Sequence, residues 1–153
     1  MTQSETATIE QTVRINARPE TVWQFWTDAE RICDWWGDGA TLEPQPGGAC
    51  EVRMDGGPVM HGEFVELVPY ERIVFTFGWV PGTGAVDLGP GSTRVEVTLV
   101  DDGGDTVLTL RHSDLPTSYA ELHDKGWAHF LPLLVTAAGR RPSRGQSTRR
   151  SAD

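Results

Sequence analysis

Four histidines, two cysteines and six tryptophans carry this chain's options for chemistry. The histidines, His61, His112, His123 and His129, lack the companions that familiar reactions need. No H-x-E stands with a C-x-x-C, and no H-E-x-x-H occurs, which excludes a zinc deaminase or a zincin. There is no G-x-S-x-G elbow and no phosphate-binding glycine loop. The glycines of "DGGDT" have the composition of a hairpin turn. Cys33 and Cys50 are too few for a disulfide scaffold or a zinc cage and read as two buried thiols. No catalytic residue, metal ligand or cofactor is therefore assigned.

Two histidines remain as polar groups for a cavity. His112 shares parity with Leu108 and Leu110, so it ends an inward-facing row. It either enters a cavity or is tied to a backbone carbonyl near "SDLP". His61 shares parity with Glu63, Val65 and Leu67. Inward, His61 and Glu63 would form an acid–base pair. In the opposite register Gly62, Phe64 and Val68 face inward and both polar groups meet solvent. His123 and His129 lie six residues apart on a helix, about 600° of rotation, so they do not share a face or pair on a metal.

The aromatic residues give the clearer signal. Ile73, Phe75, Phe77 and Trp79 share one parity, which makes an aromatic strand face. Trp127, Phe130, Leu131 and Leu134 can meet it from a helix. Much of this must be core, but aromatics with a few polar groups also line small-molecule pockets. The adjacent pair Trp35 and Trp36 suggests a division of labour, one plugging the core and one lining an entrance.

These residues need elements to position them. "IEQTVRIN" alternates as a half-buried strand from Ile9, with residues 1–8 expected to be unstructured. Pro19 suits a first helical position, and Val22, Phe25 and Trp26 follow at helical spacing. Asp28 can cap a second short helix, "AERICDWW", which Gly37 ends. From Leu42 to His112 come short β-rich segments separated by turn residues, implying an antiparallel meander. The long connection Val80 to Ser92 is expected to be mobile. Ser118 and Glu121 form a capping box for a last helix, with Tyr119, Leu122, Gly126, Phe130, Leu133, Leu134 and Ala137 at its spacing and a kink expected at Pro132.

The chain has 153 residues, which suits one domain over 9–138. Residues 1–138 hold eight basic and 21 acidic side chains, a net of −13, against five arginines and one acid in residues 139–153. An acidic body repels phosphate backbones, so no nucleic acid partner is expected. The basic segment 139–153 reads as a disordered solvated tail. No apolar run of membrane length and no signal-peptide layout is present, so a cytoplasmic protein without a membrane partner is expected.

Several strings in this order resemble the activator-of-Hsp90-ATPase C-terminal-like family, in the helix-grip superfamily of START domains, the birch-pollen allergen and polyketide cyclases. They are "ARPETVWQFWTDAERICDWWG", "PGGACEVRM", "GEFVELVPYERIVFTFGW", "TRVEVTLV" with "GGDTVLTLRHSDLP", and "DKGWAHFLPLL". The resemblance spans residues 10–138. It implies an α+β helix-grip fold: a curved antiparallel sheet of six to seven strands around a long C-terminal helix, with two short helices after the first strand. It implies a small apolar or aromatic ligand between that helix and the sheet, bound by a monomer or homodimer. Trp35, Trp36, Phe77, Trp79, Trp127 and Phe130 are the candidate wall, with Met54 and Leu131 beside them and His61 and His112 as polar anchors. A chaperone as partner, and a cyclase-like or antibiotic self-resistance activity, are the alternatives the same resemblance brings.

Overall fold

The computed structural model describes residues 5–139. The first strand, β1 (Thr6–Ile15), alternates strictly between exposed and inward residues and ends on the buried Ile15. It begins three residues before Ile9, because Thr6 and Ala7 pair with Pro116 and Leu115. Residues 1–4 of the expected N-terminal tail, and all of the basic tail after Gly139, lie outside the described residues.

Helix α1 (Pro19–Thr27) starts on its proline and buries Val22, Phe25 and Trp26. Pro19 gives up no internal hydrogen bond there. Asp28 then caps α2 (Ala29–Ile32), its carboxylate accepting the Glu30 N–H at 3.0 Å. The second helix is only one turn long. Trp35 and Trp36 follow it in a turn, with the Trp36 N–H still bound to the Ile32 carbonyl at 2.8 Å. Gly37, at φ +81°, reverses the chain where a side chain would strike Val52 and the Arg53 carbonyl.

The remaining strands are β2 (Gly39–Leu42), β3 (Ala49–Arg53), β4 (Val59–Val68), β5 (Arg72–Phe77), β6 (Thr93–Asp102) and β7 (Asp105–Pro116). They form one antiparallel sheet in the order β1-β7-β6-β5-β4-β3-β2. Strand β4 turns Met60, Gly62 and Phe64 inward. A bulge between Phe64 and Glu66 leaves Val65 on the surface. On the outer face Arg72 bridges Glu66 and Glu96 above the buried Val74.

Helix α3 (Thr117–Gly139) closes the concave face and continues through Pro132. It starts one residue before the expected cap, so Ser118 lies within the first turn. Glu121 instead pairs with Lys125 at 3.2 Å. Its inward stripe is His123, Trp127, Leu131, Leu134 and Ala138. Leu122 and Leu133, expected inward, are 51% and 43% exposed. No described helix is long and apolar enough to cross a membrane.

Candidate functional site

A cavity of about 360 Å³ opens between α3 and the sheet. Its back wall is Trp36, Phe77 and Trp127, with the Trp36 and Phe77 rings parallel to within 4° at 6.3 Å between centroids. Phe77 reaches it because β5 keeps the parity of Ile73 and Phe75. Met54 and Pro58 enter from the β3–β4 turn, and Gly84, Ala85 and Val86 from the connection between β5 and β6. Leu122, Gly126 and Phe130 of α3 form the rim. The size and apolar lining match sites that bury a small molecule.

The long connection is pinned at several points. The Trp79 N–H donates to the Leu88 carbonyl at 2.6 Å, and the Gly91 N–H to the His61 carbonyl at 3.1 Å. The Thr83 hydroxyl donates to the Val80 carbonyl at 2.7 Å and accepts the Val59 N–H at 3.2 Å. Gly78, where β5 ends, has no room for a side chain against the Gly89 backbone. These contacts hold Trp79 and Val86 over the cavity.

Two histidines, His123 in the wall and His112 behind it, are held through tryptophan. An indole N–H only donates and a carbonyl only accepts, which fixes both tautomers. Trp127 donates to His112 Nδ1 at 3.1 Å, so His112 Nε2 carries the proton toward Thr93 Oγ1 at 2.8 Å. The Thr93 hydroxyl donates onward to the Phe77 carbonyl at 2.8 Å. Trp79 donates to His123 Nε2 at 3.1 Å, and His123 Nδ1 donates to the Tyr119 carbonyl at 2.8 Å. Burial first, and the neighbouring His123 second, push the His112 pKa down to about 3. Burial also lowers that of His123, against the opposing effect of the Tyr119 bond. Both imidazoles are neutral with both nitrogens occupied. Neither has a lone pair free to take a proton from a bound molecule.

The sequence-derived residues divide clearly. Trp36, Met54, Phe77, Trp79, Trp127 and Phe130 line the cavity. Trp35 does not: its N–H donates to the Phe25 carbonyl at 2.8 Å and its ring packs 4.7 Å from Trp26. Trp35 is the core plug and Trp36 the wall. Leu131 is fully buried one turn beyond Trp127 and also lies outside the lining. His112 sits behind Phe77, 4.5 Å between ring centroids, and is bonded to side chains rather than to a carbonyl near "SDLP".

His61 is on the opposite face of the sheet. It faces Glu51 across the β3–β4 pair, with Nδ1 3.1 Å from the carboxylate, and its side chain is 44% exposed. Of the two registers the sequence leaves open, Met60, Gly62 and Phe64 take the inward positions, so His61 is not a polar anchor of the cavity and does not pair with Glu63 there. His123 is the residue sequence reasoning missed. Its spacing of four from Trp127 placed it on the same helix face and was the available signal. Among the described residues no group of three potential ligands could hold a metal.

The profile described as "Activator of Hsp90 ATPase homolog 1-like protein" matches residues 16–139. An AHSA1-like protein from Rhizobium etli is 36% identical over 97% of this chain and 95% of its own, with a TM-score of 0.69. DynU16, a putative protein of the dynemicin biosynthetic locus, is 24% identical with a TM-score of 0.73 over 92% of this chain. This chain spans 50% of that protein's length. The Aha1 dimer of Colwellia psychrerythraea is 20% identical with a TM-score of 0.73, over 91% of this chain and 99% of its own. No protein of curated function matches in sequence.

Proposed function

The chain belongs to the activator of Hsp90 ATPase homolog 1-like family, and from that premise we propose that it binds a small, flat, largely apolar molecule between α3 and the concave sheet. The observation that carries this reading is the cavity itself. About 360 Å³ is lined by large aromatic side chains, of which Trp79 and Trp127 spend their indole N–H groups on His123 and His112. An apolar cleft of this size is the setting in which a small molecule buries most of its own surface. The roles of Trp36, Met54, Phe77, Trp79, Trp127 and Phe130 are contact and shape rather than catalysis.

A cyclase-like acid–base role receives no support from His112 or His123, whose nitrogens are all engaged. A co-chaperone role is the second reading. Exposed Tyr70 and Val100, at 48% and 58%, lie outside the cavity on an acidic body and would serve a protein contact. It predicts stimulation of Hsp90 ATPase turnover that survives blocking of the cavity.

Tryptophan emission tests the binding reading. Trp36, Trp79 and Trp127 wall the cavity, so a bound aromatic molecule should change emission saturably with one site per chain. A panel of two- and three-ring apolar aromatics that leaves emission unchanged at its solubility limit would refute it.

A further inference from the structure

One tryptophan of the cavity wall has a hydrogen-bond donor without an acceptor among the described residues. The indole N–H groups of Trp35, Trp79 and Trp127 each reach an acceptor within 3.1 Å. That of Trp26 reaches none and is fully shielded, the one such buried side-chain atom among the described residues. The Trp36 indole also has no acceptor among the described residues, yet it is not sealed off as Trp26 is. Trp36 is only 2% exposed and forms part of the cavity wall. The open space that Trp36 borders is the cavity.

Nothing nearby supplies the missing acceptor. His112 Nδ1 and His123 Nε2 are taken by Trp127 and Trp79, and the rest of the lining is apolar side chain or glycine. An oxygen delivered to Trp36 would gain a hydrogen bond that displaces no protein partner. A carboxylate would also be an acceptor, but burying its charge among these rings is costly without a cation. The cavity lining contains no lysine or arginine, and residues 1–138 carry a net charge of −13. The matching group is a neutral oxygen.

We propose that the cavity selects a flat aromatic molecule bearing a neutral carbonyl- or quinone-type oxygen, which accepts the Trp36 indole N–H. The inference rests on the binding role above and adds the chemical class of ligand and the residue that reads it. Trp26, Phe75, Phe77 and Trp127 pack around the Trp36 ring, so its orientation is constrained before binding.

The test compares fluorenone with fluorene, which differ by the carbonyl. Wild-type protein should prefer fluorenone by roughly 3- to 10-fold, the range of one net hydrogen bond. Trp36→Phe should bring that ratio to about one, and Trp26→Phe should preserve it. An indole 15N–1H spectrum of wild-type protein gives the same answer without relying on a folded variant. The Trp36 resonance should move downfield with fluorenone and not with fluorene. Equal affinities in wild type, a preference abolished by Trp26→Phe instead, or an unmoved Trp36 resonance each overturn the inference while leaving binding intact. If neither compound nor any other apolar aromatic binds, the binding role itself has failed.

Discussion

Replacing His112 by glutamine should flatten the acid limb of the protein's stability. His112 has no exposed surface and accepts from Trp127 while donating to Thr93. Burial and His123 lower its pKa from 6.5 to about 3. In the unfolded chain the imidazole titrates near its ordinary value, so below that pH the unfolded state takes up a proton that the folded state refuses. The His112 contribution is complete above about pH 6.5 and is lost progressively as the pH falls toward 3. Between pH 7 and pH 5 the loss comes to about 2 kcal/mol. His123, also lowered by burial, acts in the same direction. Urea unfolding at pH 7, 6 and 5, with constant slope, measures it. Glutamine can still accept and donate but does not titrate in this window. The His112→Gln profile should therefore fall about 2 kcal/mol less than wild type. Parallel profiles would refute a neutral, fully engaged His112.

Other substitutions probe the frame around the site. Thr93→Val removes the hydroxyl between His112 Nε2 and the Phe77 carbonyl, and should cost about 1–3 kcal/mol by chemical denaturation. Gly62→Ala would set a methyl group against the Thr76 carbonyl, so a loss of at least about 1–3 kcal/mol, or failure to fold, is expected from thermal melts. Gly126→Ala meets open space and should gain up to about 1 kcal/mol from helix propensity alone.

The sequence carried the architecture in its periodicity. The strict alternation of Ile9, Val13 and Ile15, and the i, i+3, i+4 spacing of Val22, Phe25 and Trp26, are local properties that tertiary packing reinforced. Strand β2 escaped notice because "GATL" has four residues and little β character, and pairing with β3 defines it. The His61 register could not be read because Val65 and Leu67 compete with Phe64 and Val68 for the inward face until Gly62 and the bulge at Val65 are seen. A second bulge explains why His112 and Leu115, three apart, both turn inward: the β1–β7 register shifts there, and Asp114 takes φ +64°. The phase of α3 slipped because Leu122 and Leu133 look like core. The helix instead gives its inward stripe to His123, whose polarity is satisfied by Trp79 from a distant strand end. Such a long-range pairing leaves no mark on local sequence. The same holds for Trp35 and Trp36, which only the one-turn length of α2 assigns to core and cavity.

Filling the cavity from Gly126 tests the central claim most directly. This glycine lies on the cavity rim, and a Cβ there would meet nothing within 4 Å. Gly126→Leu should therefore keep or raise the melting temperature while occupying the ligand's space. Calorimetric titration of fluorenone should give one site per chain in wild type and at least a tenfold weaker affinity in Gly126→Leu. Equal affinity in the two proteins would place binding elsewhere and contradict the account.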